Sequence, residues 1–308
     1  MRYEDLPESP NIEDRRDQGG YVGGGIPGGG GFPLGRGGGL GIGTIVVLGL
    51  IGWALGIDPR VLIGGAEVYQ HATHPSHSPY RSPSQRGTPN DRTGQFVAKV
   101  LGSTEVVWRD IFAKDDREYR PPKLVMFSGA TRSACGYAQA AMGPFYCPND
   151  QKVYLDTSFF RDLQHRFHGC DNNKACEFAE AYVIAHEVGH HVQNLLGILP
   201  KVQQRQHSLG GAESNRLQVR VELQADCFAG VWAHHAQDRY QLLEPGDVEE
   251  ALKTAAAIGD DRLQMQGRGY VVPDAFTHGS SQQRVHWLSA GLKSGSVDSC
   301  NTFASAEL

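Results

Sequence analysis

Apolar residues three and four apart mark out the longest regular segments of the chain. Phe96, Val97, Val100, Leu101, Thr104, Val107, Trp108, Ile111 and Phe112 keep that spacing and predict a long amphipathic helix starting near Thr93. Two runs rich in β-formers, "KLVMFS" (123–128) and "KVYLDTSF" (152–159), are bounded by Pro, Gly and Asn and read as strands. The second can be an ordinary internal strand or an edge against which an extended chain pairs. Next come a short helix near 158–168, a helix from about 175 to 196 ended by Gly197 and Pro200, and another from about 213 to 236. Asp247 with Glu250 and Ser280 with Gln283 have capping-box spacing, which predicts the starts of two more helices. Residues 93–308 therefore read as one α+β domain, predominantly helical with a small β-sheet, and long enough for a real core.

Upstream the pattern changes. Residues 1–39 are charged and then glycine-rich, too poor in apolar side chains for a core, and are expected to form a disordered tail. From Gly37 to Ile57 there is no charge, and as a helix this stretch would rise about 31 Å, enough to cross the hydrocarbon of a bilayer. Residues 40–57 are accordingly expected to form one transmembrane helix, with Trp53 near its edge. Residues 58–92, rich in Pro, Ser, His and Arg, read as a linker.

The net charge of −5, with 29 Lys and Arg against 34 Asp and Glu and no long basic run, argues against a nucleic-acid partner. Arg36 and Arg60 flank the apolar stretch evenly, so charge does not orient it. The cysteines do. All six follow the stretch, which points to disulfides in an oxidising compartment, with the tail cytoplasmic and the domain outside. Short loops favour Cys135 with Cys147 and Cys170 with Cys176, leaving Cys227 for Cys300. A structural zinc site made by Cys170 and Cys176 with His165 and His168 is the alternative for the second pair.

The helix at 175–196 carries "IAHEVGHHVQ" in its middle. His186 and His190 lie four apart, on one helical face, where two neutral imidazoles can share one zinc ion with Glu187 beside it as a general base. Gly189 lets another segment come close. A catalytic zinc site needs a third protein ligand, and the helix at 213–236 offers Glu222 and Asp226, again four apart. Glu222 is assigned as that ligand. Asp226 is assigned as the acceptor that orients a zinc-bound imidazole through its other N–H. The helix around them is apolar nearly all round, so these carboxylates need partners.

"IAHEVGHHVQ", "ELQADCFAG", "PFYCPNDQKVYLD" and "FTHGSSQQR" together resemble the bacterial membrane-anchored neutral zinc metallopeptidase family over essentially the whole domain. The Glu222 to Asp226 segment and the pair His278 and Arg284 also resemble the prenyl-protein and heat-shock membrane metalloproteases. The resemblance implies a zincin-like metallopeptidase domain with one zinc per chain and a polypeptide substrate. It also implies a single-pass bacterial inner-membrane protein with its catalytic domain in the periplasm. His278 or Arg284 is then expected to stabilise the oxyanion, or else Arg284 pairs with a carboxylate such as Asp226. Two other functions compete with membrane-tethered proteolysis: an inactive adaptor that binds unfolded proteins, and a zinc hydrolase of cell-wall peptides.

Overall fold

A computed structural model describes residues 1–18, 85–86, 89–139, 143–170 and 173–304. The first long helix, α1 (Arg92–Lys114), starts at Asp91, whose side chain accepts the Gly94 N–H at 3.1 Å, and it buries Phe96, Val97, Val100, Leu101, Trp108 and Phe112 as its apolar spacing predicts. A five-stranded sheet runs β2-β1-β3-β7-β6, built from β1 (Ile12–Asp14), β2 (Gln85–Arg86), β3 (Lys123–Phe127), β6 (Phe145–Cys147) and β7 (Lys152–Asp156). β3 lies parallel to β1 and β7, and β6 is antiparallel to β7. Between β3 and β6 the chain makes a two-stranded hairpin, β4 (Ala130–Ser133) and β5 (Gly136–Gln139). Alternation along the strands gives the sheet two apolar faces. Leu124, Met126, Val153 and Leu155 join the main core, while Val125, Phe127 and Tyr154 form a second cluster with Ala138 and Cys147.

The remaining elements are helical: α2 (Phe159–His165), α3 (Asn173–Leu195), α4 (Ile198–Gln206), α5 (Gly211–Tyr240), α6 (Asp247–Ala257), α7 (Asp260–Arg268) and α8 (Ser281–Ser294). One core joins α1, α3, α5, α8 and the sheet, as expected of a helical α+β domain. α3 ends at Gly197, in the left-handed region at φ 74°, but the chain re-enters a helix at once, with Pro200 in the first turn where no intrahelical donor is required. The capping box of α8 forms in both directions between Ser280 and Gln283. That at Asp247 does not: Gly246 is the cap, and the Asp247 carboxylate instead accepts the Glu244 N–H at 2.8 Å. The cysteines pair as Cys135–Cys147, Cys170–Cys176 and Cys227–Cys300, so Cys170 and Cys176 are not zinc ligands with His165 and His168.

Of the two roles open to "KVYLDTSF" the structure has the internal one: β7 is paired on both sides, and β6 is the outer strand beside it. Residues 1–18 are not a disordered tail. Met1, Leu6 and Ile12 are buried in the main core, Ser9 donates to Glu105 at 2.5 Å, and Arg16 pairs with Asp14 and with the cap residue Asp91. Three apolar anchors in a charged segment are too few to register in composition, yet β1 supplies the strand that covers β3. Residues 1–18 are thus part of the same folded unit as the domain. The predicted span 40–57 lies outside the described residues, as does nearly all of the linker 58–92. Among the described residues no helix is long and apolar enough to cross a membrane.

Candidate metal centre

Helices α3 and α5 meet where each carries its polar residues. A Cβ on Gly189 would lie 3.0 Å from the Ala225 carbonyl oxygen and 3.1 Å from its Cα, so this glycine lets the His186–His190 turn press against the Glu222–Asp226 turn. His186, His190 and Glu222 then converge, each offering one ligand atom, all within 4.8 Å of one another. Glu222 Oε2 is 3.3 Å from His186 Nε2 and 3.6 Å from His190 Nε2. Zinc bonds of roughly 2.0–2.1 Å in tetrahedral geometry put neighbouring ligand atoms about 3.3–3.4 Å apart. The three side chains fit such an ion in spacing, in number and in donor chemistry.

Each ligand is aimed by a partner on its far side. Asp226, fully buried, can only accept, so the 2.8 Å contact from its Oδ1 fixes the proton of His186 on Nδ1 and directs Nε2 at the centre. The Gln193 amide is oriented by donating to the Val221 carbonyl at 2.7 Å and to Gln224 Oε1 at 3.1 Å, which leaves its oxygen to accept from His190 Nδ1 at 2.9 Å. Gln218 donates to Glu222 Oε1 at 2.9 Å, leaving Oε2 inward. Burial opposes charge on His186, but Asp226, Glu222 and Glu187 outweigh it and raise its pKa to about 10. Burial likewise works against the Glu222 carboxylate, and His190, His278 and His186 overcome it and hold Glu222 well below its usual range. A divalent cation entering this field displaces the imidazole protons and satisfies the carboxylates.

Glu187 is different. It is buried, and its Oε2 has no hydrogen-bond partner among the described residues. Burial, with Glu222 adding, pushes its carboxyl above the usual value against the pull of His186, His190 and His278. His191, which follows His190, is engaged elsewhere: its Nε2 donates to the Arg120 carbonyl oxygen at 2.7 Å, and its Nδ1 accepts from the Tyr146 hydroxyl at 3.0 Å. Tyr146 also accepts from Asn194 at 3.0 Å, so strand β6 is tied to α3 one turn beyond His190.

The two residues from "FTHGSSQQR" part company. Arg284 is buried, and its Nε and Nη2 donate to Asp226 at 2.9 and 2.8 Å, with Nη2 also 3.0 Å from the Tyr182 hydroxyl and Nη1 3.3 Å from the Ile258 carbonyl oxygen. It therefore braces the carboxylate behind His186, the pairing with Asp226 that stood beside the oxyanion role as its alternative. His278 is partly exposed, its Nδ1 is 3.4 Å from Asp260 Oδ1, and its charge favours the ionised forms of Glu187 and Glu222. Tyr182, Gln193, Gln218 and Asp260 were not singled out from sequence. Gln193 and Gln218 had a usable signal, lying three residues after His190 and four before Glu222 on the same helical faces. Tyr182 lies four before His186 and had it too.

Residues 1–303 match the family described as "Putative neutral zinc metallopeptidase". The chain is 48% identical over 303 residues to "Uncharacterized protein YpfJ" of Escherichia coli (strain K12), covering 98% of this chain and 99% of that one. It is 40% identical over 267 residues to "Uncharacterized protein Rv2575" of Mycobacterium tuberculosis (strain ATCC 25618 / H37Rv), covering 82% and 85%. No solved structure matches. A His, His and Glu centre on two crossed helices, in a chain matched almost end to end, makes this protein a member of that neutral zinc metallopeptidase family.

Proposed function

We propose that the protein is a zinc-dependent endopeptidase in which His186, His190 and Glu222 hold the metal and Glu187 moves the protons. The observation that carries this reading is the Glu187 Oε2 atom, buried next to His186 in the helix and without a hydrogen-bond partner among the described residues. A buried carboxylate oxygen without a hydrogen bond is costly, and its retention here makes sense if a reacting water is its partner. When bound, zinc supplies Lewis acidity to that water and to the carbonyl under attack. Glu187 takes the water proton and returns it to the leaving amine, a task for which a carboxyl raised by burial is suited. Asp226, with Tyr182 and Arg284 behind it, keeps His186 in one tautomer throughout, and Gln193 does the same for His190.

The substrate is an extended polypeptide. Among the described residues no strand pairs with the outer side of β6, so its backbone groups are open to β-augmentation on a strand anchored to α3 through Tyr146. Three disulfides support work in an oxidising compartment. The test is hydrolysis of unfolded casein by the purified protein. Cleavage should stop when a chelator strips the metal and return when zinc is restored, whereas an adaptor would bind casein and leave it whole, and a cell-wall hydrolase would cut peptidoglycan stem peptides in its place.

A further inference from the structure

On the peptidase reading above, we infer that Asp260 is a positioning residue for His278, holding its ring, in a loop packed on the helix that carries Glu222, as a hydrogen-bond donor to the substrate carbonyl. The Asp260 side chain is mostly buried at the start of α7, far from α3 and α5 in sequence. Its Oδ2 accepts three successive backbone N–H groups, Thr277 at 2.7 Å, His278 at 2.6 Å and Gly279 at 3.0 Å, while its own N–H donates to the Gly279 carbonyl at 2.9 Å. Its Oδ1 faces His278 Nδ1 at 3.4 Å, and the Thr277 hydroxyl lies 3.0 Å from the same nitrogen. One carboxylate thus sets both the backbone and the ring of the loop.

The other side of that loop is fixed by the metal helix. Gly279 has φ +94°, and a Cβ there would meet Leu223 Cδ2 at 3.0 Å and Val219 Cγ1 at 3.4 Å, the residues flanking Glu222 on α5. The loop is therefore held between Asp260 and the helix that supplies the third ligand. With Nδ1 engaged by Asp260 and Thr277, Nε2 is the ring nitrogen left on the opposite edge. Charge builds on the carbonyl oxygen during attack, and a donor already in place stabilises it without reorganisation. Arg284, committed to Asp226, cannot fill that place.

The test is a double-mutant cycle on casein-derived peptide cleavage, with amide hydrogen exchange as a readout independent of activity. His278→Ala should lower kcat about 10²–10³-fold with KM little changed. Asp260→Asn should lower kcat about 10–100-fold, add nothing in the His278→Ala background, and speed exchange at residues 277–279 at unchanged zinc content. If Asp260→Asn fails to fold, Asp260→Glu, which keeps the charge and moves it by one methylene, carries the same comparison with a smaller loss. Unchanged exchange at 277–279, or a loss fully additive to that of His278→Ala, would overturn the assignment. A wild-type protein that binds zinc and cuts no peptide would count instead against the peptidase reading on which it rests.

Discussion

The Arg284 guanidinium gives two hydrogen bonds to Asp226 in a place where neither side chain meets solvent. Removing one partner of such a pair leaves the other charge buried alone, at a cost of roughly 3–5 kcal/mol. Arg284→Ala should therefore lower the melting temperature and weaken zinc binding, while His278→Ala should leave both nearly unchanged; calorimetric melts and zinc titration separate the two. An Arg284→Ala protein as stable as wild type, with normal zinc affinity, would refute the bracing role. The cluster of His186, His190 and Glu222 was legible in the sequence because helical spacing alone brings His186 to His190 and Glu222 to Asp226. What lies across the site was not legible. Arg284 fits an oxyanion or a carboxylate equally well until the packing of α8 on α5 decides which is near, and Asp260 meets His278 only through a turn of the chain that no local pattern announces.

At the level of elements, α3 and α5 follow from long apolar runs and their boundary residues, and α8 from a capping box that is a purely local signal. α7 escaped because "DDRLQMQGR" has no apolar stripe, and its Met265 is exposed. α4 escaped because Gly197 and Pro200 read as a stop, although proline in a first turn is no obstacle. The Cys227–Cys300 bridge joins these elements to the metal centre. Gln224 donates to the Cys300 carbonyl at 2.9 Å and accepts from Gln193, which in turn orients His190. Closing a loop of 73 residues is worth about 4 kcal/mol in the chain-entropy account. The double variant Cys227→Ser, Cys300→Ser should lose about that much in denaturant unfolding and bind zinc more weakly; unaltered zinc affinity would show that the relay to His190 does not depend on the bridge.

The whole molecule is organised by its first eighteen residues as much as by its helices. β1 sits inside the sheet, between β2 and β3, so residues 1–18 belong to the same folded unit as the metal centre. Single cysteines placed at the exposed positions Glu8 and Lys201 should react alike with an impermeant maleimide on intact cells, both or neither. Labelling of one alone would show that the two positions do not share one folded unit on one side of a membrane. Composition hid this because glycine dominates residues 19–39 and masks three anchors, Met1, Leu6 and Ile12, whose burial is a tertiary fact.

The central claim, that Glu187 moves protons beside a metal it does not hold, has a direct test in Glu187→Gln. The amide keeps the shape of the side chain and spares His186, His190 and Glu222. Elemental analysis should find one zinc per chain in both proteins, and casein cleavage should be present in the wild type and lost in the variant, by about 10²-fold or more. Full cleavage by Glu187→Gln, with zinc in place, would contradict the account.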